Sequence, residues 1–438
     1  MKQKDIIKKI KNKKATICIM GLGYVGLPLV NAFCNAGFNV NGFDTSEDKI
    51  YQIKNSKTDI SEVSIKKIKK FINNERLNVK SDAKLLGDSD VIIICVPTPL
   101  NDSFEPDMQY INSCVALIKE NAKSNTVVIL ESTSFPGTTK ELVFDKLNDK
   151  KRNSFQYIAY SPERVDPGNK KFGIKNTPKV IGGMNKESLK LADMIYSHIC
   201  DETILMKSCE EAEMVKLVEN IYRQTNIALV NEMMMISDKL NIDIWNVIKG
   251  CSTKPFGYSK FLPGPGTGGH CIPLDPMYLS WKAKTKNYFS RFIDLSTDIN
   301  QNMPNYVFEK ISSHLNKSSK SIKNSNCFIV GVAYKKNVAD VRESPSMKVI
   351  SLLLEAGANI NYHDPYISSI TIDNNRRLKK INSTKISKLN INNSDIVVIL
   401  TDHDNISWNT ILKNSKIILD TKGLFHNKKD KQKNLHFL

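Results

Sequence analysis

The residues of this chain that could do chemistry fall in a few short segments. Residues 261–279 read FLPGPGTGGHCIPLDPMYL, with glycines at 264, 266, 268 and 269, Cys271 close behind them and Asp275 four residues further on. Glycines at that density leave backbone amides bare for ligand contact. A cysteine inside such a polar loop reads as a nucleophile more readily than as a packed core thiol. Near the other end, GLGYVG sets Gly21, Gly23 and Gly26, with Tyr24 and Val25 between them, at the spacing that lets backbone amides approach a pyrophosphate at a helix N-terminus. Asp44 follows 23 residues after Gly21. A carboxylate there accepts from ribose hydroxyls and repels a 2′-phosphate, so the expected cofactor is NAD rather than NADP.

Three further segments are suggestive. Lys216 and Asn220 are four residues apart in a helical pattern and project from one face, as catalytic groups or as an ordinary solvated face. Ser161-Pro162-Glu163-Arg164 places a carboxylate and a guanidinium at the end of an apolar run; a structural ion pair is the alternative. Val96-Pro97-Thr98-Pro99 borders the same crevice, or is a simple proline turn. The nine cysteines show no CxxC spacing and the seven histidines no HxxxH spacing, so neither a disulfide framework nor a structural metal site is expected.

The elements that must position these groups follow from periodicity. ATICIM (15–20), the glycine turn, an apolar-periodic helix to Ala36 and NVNGFD ending at Asp44 make the opening βαβ unit of a doubly wound sheet. Further strands are predicted at 91–96, 126–131, 157–160 and 179–183. The last third rehearses this order: CFIVGV (327–332), a helix to Ala356, then NINYHD ending at Asp364. Residues 36–44 and 356–364 share Ala, Gly, two Asn and Asp in register, and SDVIIICV pairs with SDIVVILT. The fold class is therefore α/β, with two Rossmann-like doubly wound domains joined by a long central helix (208–240) and a small helical domain. The second Rossmann-like domain lacks GxGxxG and should not bind a dinucleotide in the same way.

With 438 residues, 41% of them hydrophobic, the chain is long enough for two to four domains. The charge of +18 comes from 63 Lys+Arg against 45 Asp+Glu, with seven lysines in the first 14 residues and scattered Lys elsewhere. That is a solvated lysine surface rather than an arginine-rich nucleic-acid stripe, and it would steer an anionic small substrate inward. The uncharged stretch 15–43 is interrupted by glycines, Pro28 and asparagines, which argues against a membrane span. The expectation is a cytoplasmic enzyme with neither nucleic-acid nor membrane partners. Apolar positions on the long helix (Leu217, Val218, Ile221, Ile227, Leu229, Val230) exceed one narrow stripe, which points to a homodimer built there.

GLGYVGLPL, VPTP, EST-x-x-PGTT, SPER-x-DPGN, PKVIGG, ENIYR-x-x-NIALVNE, PGPG-x-GGHCIP-x-DP-x-YL and ADVRESP, in this order, resemble the nucleotide-sugar dehydrogenases that oxidise UDP-glucose, UDP-N-acetylhexosamines or GDP-mannose to uronic acids. The segments PGPG, GGHCIP and SPER-x-DPGN look most like UDP-N-acetylglucosamine 6-dehydrogenases, enzymes of surface polysaccharide precursor synthesis; UDP-N-acetylgalactosamine, UDP-N-acetylmannosamine and UDP-glucose stay open as substrates. So does a catalytically silent NAD and UDP-sugar binding protein. The resemblance implies an NAD-binding domain over 1–205, a central dimerisation domain with the cysteine loop over 206–310 and a UDP-sugar domain over 311–438. It implies that Cys271 traps the aldehyde, that Lys216 and Asn220 stabilise the oxyanion, that Asp275 and Thr133 position a water and that Glu163 assists thioester hydrolysis. Lys49, Thr98, Thr133 and Arg342 would join the glycine loop and Asp44 around NAD. Glu163, Arg164, Lys216, Asn220, Phe261, Gly268, Lys335 and Lys422 would face the sugar nucleotide. Lys422 stands where the family usually carries Arg, replacing a bidentate fork by a point charge.

Overall fold

Ile/Val runs without alternation suit strands buried on both faces, and that is how the chain uses them in the computed structural model. It describes all residues except 1, 2, 59, 61, 62, 102, 149–154, 167, 170, 270, 271, 375 and 376. Strands β1 (Thr16–Met20), β2 (Asn39–Phe43), β3 (Leu77–Lys80), β4 (Val91–Ile94), β5 (Val127–Leu130), β6 (Ile158–Tyr160), β7 (Lys179–Gly183) and β8 (Thr203–Leu205) form one sheet. Its order is β3-β2-β1-β4-β5-β6-β7-β8, parallel except between β6 and β7. Ile17, Ile19, Val91, Ile93, Val127 and Ile129 pack into the core on one face; Cys18, Met20, Ile92, Ile94, Val128 and Leu130 pack into the core on the other. Strand order reverses between β1 and β4, which opens the crevice where an α/β sheet takes its ligand.

The second sheet contains β9 (Asn326–Val330) and β10 (Asn359–His363). After β10 the chain makes an antiparallel hairpin of β11 (Ser369–Asn374) and β12 (Arg377–Asn382). It returns to the sheet through β13 (Ile396–Ile399), β14 (Ile418–Asp420) and β15 (Leu435–Phe437), giving the parallel order β10-β9-β13-β14-β15. In the first sheet the chain instead follows β2 with two helices and β3. The hairpin is where the two halves diverge.

Elsewhere the repeat extends to single atoms. Gly21 and Gly331 both follow the first strand with positive φ, and a Cβ on either would meet the chain just beyond the neighbouring strand, at the carbonyl oxygen of Cys95 or Thr401. Asp90 accepts from the amide of Thr16 at 3.0 Å and pairs with Lys9; Asp395 accepts from the amide of Asn326 at 2.9 Å and pairs with Lys320. Asp44 and Asp364 end the second strands, and each pins the loop after the first strand. Asp44 takes the amide of Leu22 at 2.9 Å and Asp364 those of Val332 and Ala333 at 2.8 and 3.0 Å.

The helix over 208–240 is observed as Cys209–Lys239, 31 residues or ~46 Å at 1.5 Å per residue. A second long helix, Arg291–Lys317, carries Pro304 in its interior and has no counterpart in the sequence reading, where proline marks a break. Contacts group the chain into two compact units. One runs to Glu219 and includes Met277–Tyr288; the other comprises Asn220–Pro276 and Phe289–Leu438.

Asp364 is fully buried and also accepts from the amides of Tyr366 and Ile367 at 2.8 and 3.2 Å. His403 Nδ1 accepts the amide of Asn337 at 2.9 Å, so its proton sits on Nε2 and is donated to Asp364 at 3.0 Å. Burial alone would push the Asp364 carboxyl up, but His403 and the amides outweigh it and hold the carboxyl below its usual range. Asp364→Ala strands these donors, and the expected loss is about 3–5 kcal/mol, measured by equilibrium denaturation; a loss under about 1 kcal/mol would contradict the pinning role.

Candidate functional site

In the first unit the three glycines of GLGYVG have separate tasks. A Cβ on Gly21 would lie 2.8 Å from the carbonyl oxygen of Cys95, and one on Gly26 would run into the carbonyl oxygen of Gly21. Around Gly23, by contrast, no atom of the described residues beyond its chain neighbours stands within 4 Å of that position. The outer two close the turn and seat the helix Gly26–Ala36, while the middle one is open to a ligand, the division a pyrophosphate cradle requires. Val25 caps that helix and Tyr24 is partly exposed on the loop. Asp44, nearly buried, accepts from the amide of Ser46 at 3.0 Å and from Lys49 Nζ at 2.9 Å in addition to Leu22. Lys49 and Asp44 thus form one unit at the end of β2.

Across the crevice, the loops after β4 and β5 are tied together by Ser132, whose hydroxyl donates to the carbonyl of Val96 at 2.7 Å. Thr98 is buried and its carbonyl accepts from the Tyr278 hydroxyl. Thr133 follows Ser132 and is half-buried. Its loop is anchored by Glu213, which accepts from the amides of Gly137 and Thr139 at 2.6 and 2.8 Å and from the Thr139 hydroxyl at 2.7 Å. Burial pushes the Glu213 carboxyl up to about 7, against those three hydrogen bonds. Glu213 was not among the candidate residues of the sequence, where it is one of three acids near the start of the long helix. Its signal is the spacing: Glu213 lies three residues before Lys216 and so faces the same way.

Lys216 is 9% exposed and has no hydrogen-bond or ion-pair partner among the described residues. A solvated helix face is therefore excluded for it. Glu163 and Arg164 do not pair with each other. Arg164 forks onto Glu219, at 2.5 Å through Nη2 and 3.0 Å through Nε, and donates to the carbonyl of Pro178 at 2.7 Å. Glu163 accepts from the amides of Arg164 and Val165, both at 2.7 Å, and pairs with Lys179 at 3.2 Å.

In the second unit, Asn220 donates to Asp275 at 2.5 Å, and both are buried. The glycine loop differs from the expectation of bare amides. Gly264 donates to Asn231 Oδ1 at 3.0 Å and Gly269 to the carbonyl of Arg342 at 3.0 Å, so those two amides are spent on the protein. The glycines serve close packing instead: a Cβ on Gly268 would lie 2.8 Å from both Tyr334 and the Glu343 carbonyl oxygen, and one on Gly269 would lie 2.7 Å from the Tyr334 ring. Gly266 faces the carbonyl of Asn300 at 2.9 Å from such a Cβ. Asn300 is four residues before Pro304, which lacks the N–H that would take that carbonyl in the helix ladder. Lys422 Nζ lies 3.4 Å from a Cβ built on Gly264, and its own amide donates to Asp420 at 2.9 Å. The loop thus gathers the segment after β9, which carries half-buried Lys335, and the one after β14.

Arg342 forms a two-pronged pair with Asp340, at 2.7 and 3.0 Å. Phe261 packs edge-on against Tyr222, ring centroids 6.0 Å apart. Cys271 lies outside the described residues. Among the described residues no helix is long and apolar enough to cross a membrane, and no three His, Cys, Asp or Glu side chains gather as a metal site would need.

Family models match residues 15–200 (UDP-glucose/GDP-mannose dehydrogenase family, NAD binding domain), 210–302 (central domain of that family) and 328–427 (its UDP binding domain). A UDP-N-acetyl-D-mannosamine dehydrogenase of Methanococcus maripaludis is 38% identical over 93% of this chain and 92% of its own. A UDP-N-acetyl-D-glucosamine 6-dehydrogenase of Salmonella typhi is 30% identical over 88% of this chain and 89% of its own. The solved structure of a UDP-D-ManNAc dehydrogenase from Pyrococcus horikoshii superposes with a TM-score of 0.84 at 28% identity, covering 96% of this chain and 98% of that one.

The placement of Asp44 yields a cofactor test. NAD should exceed NADP by at least about tenfold in kcat/KM, since a 2′-phosphate would meet a carboxylate already committed to two amides and Lys49. Asp44→Ala should narrow that ratio; comparable values for the two cofactors in the unaltered protein would refute the assignment.

Proposed function

The chain belongs to the UDP-glucose/GDP-mannose dehydrogenase family, and on that premise we propose that it oxidises carbon 6 of a UDP-N-acetylhexosamine to the carboxylate. It is an NAD-dependent UDP-sugar dehydrogenase; the sugar, the residue roles and the covalent route are the proposal. Lys216 carries the reading: an ammonium 9% exposed with no ion-pair partner among the described residues is costly unless a ligand supplies negative charge. Asn220, one helical turn on and held by Asp275, adds a donor for the same developing oxyanion.

NAD+, when bound, accepts a hydride in each of two oxidations. Glycines 21, 23 and 26 with Asp44, Lys49, Thr98, Thr133 and Arg342 would hold it, while Phe261, Gly268, Lys335 and Lys422 would hold the sugar nucleotide, joined by Arg164 once it releases Glu219. In the first oxidation the C6 hydroxyl proton passes to the protein and the aldehyde forms. The Cys271 thiolate then adds to the carbonyl carbon, and Lys216 protonates the resulting oxyanion. Loss of the second hydride and of that proton leaves a thioester. Water, oriented by Asp275 and Thr133 and deprotonated with help from Glu163, attacks the acyl carbon; the C–S bond breaks and the thiolate is restored. One sugar, two NAD+ and one water give one uronate, two NADH and three protons.

The N-acetylmannosamine epimer stands first among substrates, because the relative at 38% identity bears that name, against 30% for the glucosamine enzyme. The glucosamine reading keeps the support of SPER-x-DPGN and PGPG. NADH release against a panel of UDP sugars separates them. Val218, Tyr222, Leu229, Met233 and Ile236 form an exposed apolar stripe on the long helix, which supports a homodimer; Leu217 and Val230 of the expected set are buried instead. Light scattering should give twice 49.5 kDa, and a stable monomer at micromolar concentration would contradict the pairing.

Cys271→Ser keeps the loop and nearly the same volume, so UDP-sugar and NAD binding should survive while turnover to the acid collapses, since a serine hydroxyl is far less ionised and a poorer acyl leaving group. The unaltered enzyme should release two NADH per sugar without free aldehyde. Retained activity in the variant, or one NADH per sugar, would overturn the covalent route.

A further inference from the structure

Behind Glu163 lies a buried charge cluster that the reaction as written does not use. Lys179, on β7, reaches Glu131 at the end of β5 at 3.1 Å and Glu163 at 3.2 Å. The other oxygen of Glu131 accepts from the Tyr196 hydroxyl, and the Lys179 ammonium stands 5.1 Å over the Tyr196 ring. Glu131 is wholly buried and Lys179 nearly so, whereas the Glu163 side chain is 16% exposed and is the only carboxylate of the cluster that reaches solvent. One of its oxygens is spent on the amides of Arg164 and Val165, the other on Lys179.

A lysine paired with Glu163 alone would neutralise it and make it a feeble base. The second carboxylate divides the cation, so that two acids share one positive charge. We infer that Lys179 and Glu131 are positioning residues that aim Glu163 and set the acidity at which it acts on the thioester, an inference resting on the role proposed above for Glu163. The ionisation order fits. Burial pushes Glu131 up to about 7, while Glu163, burial notwithstanding, is held below its usual range by Lys179 and the two amides. The thiols of Cys95 and Cys200, which also face the cluster, are pushed up by burial and stay neutral, as does the Tyr196 phenol; the Arg164 guanidinium is committed to Glu219. On acidification the first proton therefore enters at Glu131. With Glu131 ionised, the hold of Lys179 on Glu163 is weakest and Glu163 is the stronger base; protonating Glu131 makes it weaker.

The test is the pH profile of single-turnover acyl-enzyme hydrolysis in the full chain, with the acyl adduct followed by intact mass. In the unaltered enzyme the rate should step down through about pH 7 to a lower plateau before its final acid loss. Glu131→Gln is near-isosteric and permanently neutral, so it should stay on the lower plateau with no step near 7. Lys179→Met should move the final acid loss upward by about 1–3 units, and Lys179→Arg should restore the wild-type position. If Lys179→Met does not fold, the Glu131→Gln comparison decides alone. Glu163→Gln serves as the separate control. If it hydrolyses the adduct at the wild-type rate, the role of Glu163 itself fails. If it slows hydrolysis while Glu131→Gln keeps the step near 7, only the inference about Lys179 and Glu131 falls.

Discussion

A carboxylate taken out of water must be met by donors, and in this protein that requirement shapes the loops that carry the chemistry. Asp44 and Asp364 draw in the amides after β1 and β9, Glu213 draws in those of Gly137 and Thr139, and Glu163 draws in those of its own next two residues. Remove the acid and each loop loses the reason for its path. The cofactor cradle and the segments around Lys335 and Thr133 are in this sense the shells of buried anions, built before any ligand arrives.

The two Rossmann-like halves show how one scaffold is adapted to two tasks. Both keep the positive-φ glycine after the first strand, the acid after the second and the acid before the next core strand. Only the first keeps the open middle glycine, Gly23, that a pyrophosphate needs. In the second, Tyr334 and the lysines that follow stand where that glycine loop would continue, and the ring closes on Gly268 and Gly269. The conserved geometry is that of the strand ends, and what they present differs.

Much of this was legible in the sequence because it is local. Buried parallel strands read as Ile/Val runs, the turn glycines have fixed spacing, and the repeat shows as matching letters from Ala36 to Asp44 and from Ala356 to Asp364. What escaped is nonlocal or breaks a local rule. Glu131, Lys179 and Tyr196 meet from separate elements, and no spacing announces them. The glycines at 264–269 suggested room for a ligand, yet Gly268 and Gly269 make room for Tyr334, a residue more than sixty positions away. The helix Arg291–Lys317 had no counterpart in the sequence reading, and it runs through Pro304 with Val307, Ile311 and Leu315 buried beyond it.

That proline also bears on a distant position. It leaves the Asn300 carbonyl turned toward Gly266, against which even a methyl group would sit at 2.9 Å. Gly266 moreover has φ +122°, which strains any side chain whatever becomes of that carbonyl. Position 266 is thus closed to substitution twice, by its own backbone and by the helix Arg291–Lys317, so a helix sets a limit on the sequence of a loop that precedes it by some twenty-five residues.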